Sequence, residues 1–265
     1  MTGTPIATFT KGNGPLIAAA IHAGGHMRRS LLPYCLLDRA QRLREEDPFT
    51  DRIAQVVPSR IVGERSRFEV DLNRPPQKAI YLRPEDAWGL NVYKDLPWKE
   101  RDASMELYDA FYTEVREMMD DALRRHDRVV VFDVHSYNHQ REAPGIDDDP
   151  EKNPEVNIGT GNMDRKEWAH VVEAVMEALR KPMRNGRSLD VRENIKFKGG
   201  YFGKWLYTNY GARVCPISIE FKKIFMDEWT GEPDDQMIED LRIHLETAAQ
   251  KVIELMHANI AAPRG

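Results

Sequence analysis

Three apolar runs in this chain end in residues that can bind a metal or move a proton. "LIAAAIH" ends in His22, "VVVFDVH" ends in His135, and "ARVCPISIEF" carries Glu220 beside its last residue. Runs of this length and composition read as strands buried on both faces. In an open α/β sheet, the C-terminal ends of parallel strands face the ligand crevice. Three such ends at one edge would gather two imidazoles and a carboxylate, the donor types of a catalytic zinc site that keeps one position open. Each histidine taken singly reads equally well as a packed, hydrogen-bonded side chain. Neither HExxH nor CxxC occurs to add a compact motif. His26 and His139 stand close enough in sequence to substitute as ligands. His126, His170, His244 and His257 fall in helical stretches and are expected at the surface.

Glu220 has two readings. Strand alternation puts it on one face with Val214, Pro216 and Ser218. An ionised carboxylate buried there without a partner is too costly to persist. It is either a salt-bridge partner of Lys222, Lys223 or an arginine, or a general base whose pKa is raised by its site. Asp133, two residues before His135, points to the same side of its strand and could orient a ligand from behind. Asn73 and Arg74 precede two prolines, which hold the following chain extended. An arginine placed so rigidly can grip a carboxylate through two parallel hydrogen bonds. The alternative is an ordinary surface arginine.

These residues need a frame, and the chain alternates strands and helices. Strands are expected over 16–22, over "SRIVG" and "RFEVDLN", over 128–134 and over 212–221. Helices are expected over 30–47, with Pro33 in the first turn, and over 100–126. In the second, Tyr108, Phe111, Tyr112, Val115, Met118, Met119 and Ala122 recur at spacings of three and four. Further helices are expected over 164–181, with Asp164 as its cap, and over 234–260. Residues 141–156 carry three prolines and a charge run and read as a loop. This alternation predicts an α/β sandwich around a largely parallel sheet. With no linker in sight, residues 1–265 are expected to form a single domain.

Composition narrows the function classes. The chain has 265 residues, 41% hydrophobic and 31% charged, within the soluble globular range. Its net charge of -5 arises from 38 basic and 43 acidic residues that are well mixed. No basic face for nucleic acid is expected from that pattern. No apolar run approaches a membrane span. The N-terminal stretch lacks the regions of a signal peptide. Two cysteines, Cys35 and Cys215, cannot make a disulfide framework, so a cytoplasmic protein is expected.

"VDLNRP" and "DVHSYN" resemble elements of the zinc carboxypeptidases. A longer ordered series resembles the N-formylglutamate amidohydrolase family. "IHAGG" (21–25) matches its first histidine element, "DPFTD" (47–51) an acidic element, "SRFEVDLNRP" (66–75) its arginine-rich element and "DVHS" (133–136) its second histidine element. "PEVNIGT" (154–160), "FKGGY" (197–201) and "ISIEFKKIFMDE" (217–228) complete seven blocks in order. The resemblance implies a carboxypeptidase-like three-layer α/β/α sandwich with a mostly parallel mixed sheet. It implies one zinc ion held by His22, His135 and an acidic residue. Carboxypeptidases place a glutamate three residues after the first histidine, where this chain has Gly25. The amidohydrolase pattern points instead to Asp47, with Glu46 beside it as the alternative. It assigns Glu220 as the catalytic glutamate, and Arg67, Asn73 and Arg74 to the substrate carboxylate. Lys198 and Tyr201 lie in a shared block without an assigned role.

Two departures bear on specificity. Ile21 replaces the family's proline, with His26 added, and the segment around Glu220 differs in length and content. The implied reaction is hydrolysis of an N-acyl amino acid, N-formyl-L-glutamate giving formate and L-glutamate. The rival readings are a zinc carboxypeptidase, a deacylase of another N-acyl amino acid, and a binding protein without turnover.

Overall fold

The computed structural model describes residues 3–261. The strands are β1 (Ala7–Thr10), β2 (Leu16–Ala20), β3 (Arg60–Gly63), β4 (Val129–Tyr137), β5 (Val156–Gly159), β6 (Val191–Glu193) and β7 (Val214–Lys222). The helices are α1 (Arg39–Glu45), α2 (Thr50–Ile53), α3 (Trp98–Arg125), α4 (Ala169–Leu179), α5 (Tyr201–Tyr210) and α6 (Asp235–Ala261). The strands form one seven-stranded sheet in the order β1-β3-β2-β4-β7-β5-β6. β3, β2, β4 and β7 run parallel through its centre. β1 and the β5–β6 pair flank them in the opposite direction. The sheet is largely parallel, as the strand and helix alternation predicts, and mixed at its edges, as the family resemblance implies.

Side-chain alternation sends the two faces of the sheet into different cores. Val130, Phe132 and Val134 of β4, with Cys215, Ile217, Ile219 and Phe221 of β7, pack against apolar residues of α2, α4 and α6. Val129, Val131 and Val214 face the other way, toward Tyr108, Phe111 and Val115 of α3 and Phe202 and Leu206 of α5. The result is three layers. On the α3/α5 side, β4 continues from Val131 to Asp133 and His135, and β7 continues from Val214 to Ser218 and Glu220. One face of the two central strands therefore turns polar toward their C-terminal ends, while the other stays apolar. Among the described residues no helix is long and apolar enough to cross a membrane.

Several segments depart from the sequence expectations. Residues 30–47 do not form one helix. A short 3-10 turn at Leu32–Tyr34 contains Pro33, Cys35 is extended, and α1 starts anew at Asp38. Asp38 accepts from the Gln41 amide while the Gln41 side chain accepts from the Asp38 amide, a reciprocal cap that restarts the helix. "RFEVDLN" is a series of turns and not a strand, with Glu69 and Val70 both donating to the Ser66 carbonyl. Its apparent alternation comes from charged side chains that turn inward and pair, the buried Glu69 with Arg65 and the buried Asp71 with the half-buried Arg67. α4 begins at Ala169, because Asp164 caps a turn at Lys166 and Glu167 ahead of it. β5 follows directly on the proline-rich loop, and α5 lies in a segment assigned no element from sequence. His244 is buried, not superficial, and its two ring nitrogens lie 2.9 and 3.1 Å from the carbonyl oxygens of Asp240 and Lys181.

Candidate active site

β2 and β4 lie side by side, so His135 at the end of β4 comes beside the turn that carries His22 just beyond β2. The imidazole centroids are 4.9 Å apart. The third member is carried in by backbone hydrogen bonding. The Asp47 amide donates to the His22 carbonyl at 3.1 Å, which staples the 44–50 segment against the strand end. Lys223 Nζ, just past β7, donates to the carbonyls of Arg44 and Glu46 at 2.6 and 2.9 Å and holds the same segment from the far side. Asp47 Oδ2 then lies 2.9 Å from His135 Nδ1 and 3.5 Å from His22 Nδ1. His22, Asp47 and His135 are all buried, and each offers a ligand atom within 4.8 Å of the others.

The opposite ring nitrogens are held by carboxylates. His22 Nε2 is 2.7 Å from Asp71 Oδ1. His135 Nε2 is 2.9 Å from Asp133 Oδ1 and 3.3 Å from Asn73 Nδ2. Asp71 is itself anchored by Arg67 Nη2 at 2.9 Å, by the Tyr81 hydroxyl and by the Asn73 amide at 2.7 Å. A carboxylate stands behind each imidazole, hydrogen-bonded at His22 and in charge contact at His135, and both Nδ1 atoms face the Asp47 carboxylate.

The charges match this geometry. Burial alone would raise the Asp47 carboxyl, but hydrogen bonds and charge from His135 and His22 hold it far below the usual range. Burial alone would lower His135, yet Asp133, Asp47 and Glu220 hold it well above an ordinary histidine. Asp71 is likewise kept ionised against its burial by Arg67 and His22. Positive charge is therefore strongly favoured between these carboxylates. Two nitrogens and a carboxylate oxygen, all buried and converging, fit a divalent ion of the zinc type, which takes N and O ligands.

Glu220 stands opposite His135 in the β4–β7 register and opposite Asn157 in the β5–β7 register. Its hydrogen-bond donor is Ser218 Oγ at 3.1 Å. Among the described residues no lysine or arginine pairs with it, because Lys223 is turned to the two carbonyls. Burial, reinforced by Asp47 and Asp133 and opposed by His135, pushes its carboxyl up to about 7. A carboxyl titrating near neutrality is suited to accept and return a proton.

A cavity of about 600 Å³ opens over this group, and His22, Asp47, His135 and Glu220 line it with Arg67, Asn73, Arg74 and Tyr201. Arg67 reaches the cavity, but its guanidinium is engaged by Asp71, by the Tyr81 hydroxyl at 3.1 Å and by the Glu45 carbonyl at 3.2 Å. Asn73 Oδ1 accepts from the Phe202 amide at 2.9 Å and its carbonyl accepts from the Tyr201 amide, so Asn73 fastens the start of α5. The fit is close, since a Cβ at Gly200 would overlap the Asn73 amide group. Glu46 turns away to Arg39 and Ser66. At Gly25 a side chain would run into the Arg39 guanidinium, so no acidic group enters from that position. His26 and Lys198 are exposed and outside the group, and His139 pairs with Asp147 at 3.1 Å. Neither Asp71 nor Tyr81 stands out in the sequence as a site residue. The available signal was an aspartate inside an apolar run, which read as strand alternation.

A family model described as N-formylglutamate amidohydrolase matches residues 14–226. No curated protein matches the chain. Among solved structures, an N-formylglutamate amidohydrolase from Ralstonia eutropha JMP134 is 18% identical, with a TM-score of 0.74 over 97% of this chain and 100% of that one. A gene product of Agrobacterium tumefaciens is also 18% identical, with a TM-score of 0.66 over 94% of this chain and 96% of that one.

Proposed function

The chain belongs to the N-formylglutamate amidohydrolase family, hydrolases acting on an amide, and from that premise we propose that it is a zinc-dependent enzyme that releases an amino acid from an N-acyl amino acid, N-formyl-L-glutamate first among them. The observation that carries this reading is the convergence of His22, Asp47 and His135 beside a buried Glu220 whose carboxyl lies near 7. In this reading His22 Nδ1, His135 Nδ1 and Asp47 Oδ2 hold one zinc ion, and Asp71 and Asp133 orient the two imidazoles. The ion would supply Lewis-acid polarisation of the amide carbonyl and a water acidic near neutrality.

The chain's own residues do the rest. A Glu220 carboxylate oxygen takes a proton from the attacking water and returns it to the departing amine nitrogen. Arg74, whose one ion-pair partner among the described residues is Asp71 at 3.8 Å, keeps N–H groups for the amino-acid carboxylate. Arg67 and Asn73 support the same wall through Asp71 and α5.

A second reading, a deacylase or carboxypeptidase with a longer substrate, is favoured by the cavity's volume of about 600 Å³, mid-range for pockets that hold drug-sized ligands. Both cysteines are free, in accord with action in a reducing cytoplasm. The test is elemental analysis of the purified protein, with hydrolysis of N-formyl-L-glutamate and a panel of other N-acyl amino acids measured before and after chelation. Near-stoichiometric zinc and chelator-sensitive release of glutamate are expected. Full activity in metal-free protein would refute the proposal.

A further inference from the structure

Six cationic side chains line the cavity, and their partners divide them. Arg44 lies 3.3 Å from Glu228, donates to the Gln140 carbonyl and stacks 3.8 Å over Trp229. Arg141 makes two parallel hydrogen bonds to Glu45, at 3.0 and 3.1 Å. Arg67 is engaged by Asp71, Tyr81 and a carbonyl, and Lys223 by two carbonyls. Arg74 has one distant carboxylate, and Lys204 Nζ has no hydrogen bond or ion pair among the described residues. The two uncommitted cations stand on connected pieces of backbone. Asn73, next to Arg74, receives the amides of Tyr201 and Phe202. Lys204 follows one turn later on α5, on the same helical face as Gly200 and Tyr201, which also line the cavity. Phe202 and Leu206 anchor the other face of α5 in the core, so the helix cannot readily rotate Lys204 away.

We infer that Lys204 is a specificity-determining residue. It binds a second carboxylate, on the side chain of the amino acid whose α-carboxylate Arg74 holds, and so selects acidic N-acyl amino acids over neutral ones. The inference rests on the amidohydrolase reading for its substrate. A lone ammonium in a cavity wall costs little while hydrated. It contributes to binding only when a ligand brings an anionic group to it, and a hydrogen bond to a charged group there is worth roughly tenfold or more in affinity. A neutral amide of the same shape would gain much less.

The test compares N-formyl-L-glutamate with N-formyl-L-glutamine on metal-loaded wild type and Lys204→Met. In wild type kcat/KM should favour the acidic substrate. In Lys204→Met that ratio should fall tenfold or more, through KM, with metal content unchanged. A ratio that survives the substitution overturns the inference. Binding of glutarate against butyrate, measured by calorimetry on the same preparations, needs no turnover. Preference for glutarate in wild type that is lost in Lys204→Met upholds the assignment even if neither formyl compound is hydrolysed, an outcome that would sink only the amidohydrolase reading. Absence of that preference in wild type, or its persistence in the variant, overturns the role of Lys204.

Discussion

Replacing Glu220 with glutamine separates a proton acceptor from a structural ion-pair partner, because the two roles give opposite stability changes. Glu220 is 8% exposed and has a serine hydroxyl as its donor. Burial first, then Asp47 and Asp133, raises its carboxyl from 4.5 to about 7 against the pull of His135. Between those values the native state holds a proton that the unfolded chain has released. The unfolded state binds fewer protons there, so the stability of the metal-free protein falls as pH rises through the window. At about 1.4 kcal/mol per pH unit, the loss reaches about 3 kcal/mol by neutrality. Glutamine keeps the shape and does not ionise, and every other titrating group is common to both proteins. Urea unfolding of metal-free wild type and Glu220→Gln should therefore give similar stabilities near pH 4.5. At pH 8 the variant should be more stable by up to about 3 kcal/mol. The zinc-loaded variant should turn over roughly a hundredfold more slowly, the contribution of a positioned acid–base group. A variant that is less stable at pH 8 by roughly 3–5 kcal/mol, as when a buried ion pair loses one partner, and that turns over normally, would refute the reasoning.

The remaining predictions concern the metal group and its supports. His135→Ala and Asp47→Ala should each remove most bound zinc, read by elemental analysis, whereas Glu46→Ala should keep zinc and lose melting temperature through Ser66 and Arg39. Near-stoichiometric zinc in Asp47→Ala would move the acidic ligand elsewhere. Asp71→Asn should weaken zinc affinity by roughly 10–100-fold without unfolding the protein, the usual effect of altering the group behind a ligating histidine; competition with a chromogenic chelator reads this directly. Gly200→Ala should press on the Asn73 amide, cost roughly 1–3 kcal/mol as an overpacking substitution and raise KM, and an unchanged melting curve would show that α5 is not fastened there.

The polar strand ends were legible because they depend on local order. An apolar run followed by His22 or His135 states which residues are buried and where burial stops, and alternation places Asp133 and His135 on one side of β4. The long periodicity of α3 and α6 is equally local. The helix expected over 30–47 failed because Asp38 offers a strong new start after an extended residue, and hydrogen bonding with Tyr34 and Val92 draws the intervening segment toward the 92–94 strip. Residues 67–73 imitated a strand because buried ion pairs produce the same alternation of charged and apolar residues as a half-exposed strand.

Sequence by itself determined the sheet's central strands and the two histidines and the glutamate near their ends. Those follow from hydrophobic burial, whose period is written along the chain. Tertiary structure brought Asp47, the residue the family resemblance pointed to, against the imidazoles, turned Glu46 away, and alone placed Asp71 behind His22. His135 and Asp47 are 88 residues apart and His22 and Asp71 are 49 apart. Tertiary structure also turned Lys223 to two carbonyls, and among the described residues no lysine or arginine pairs with Glu220. The reason is physical. A buried charge is governed by the few groups within hydrogen-bond reach, and those are supplied by distant parts of the chain whose spacing leaves no local trace.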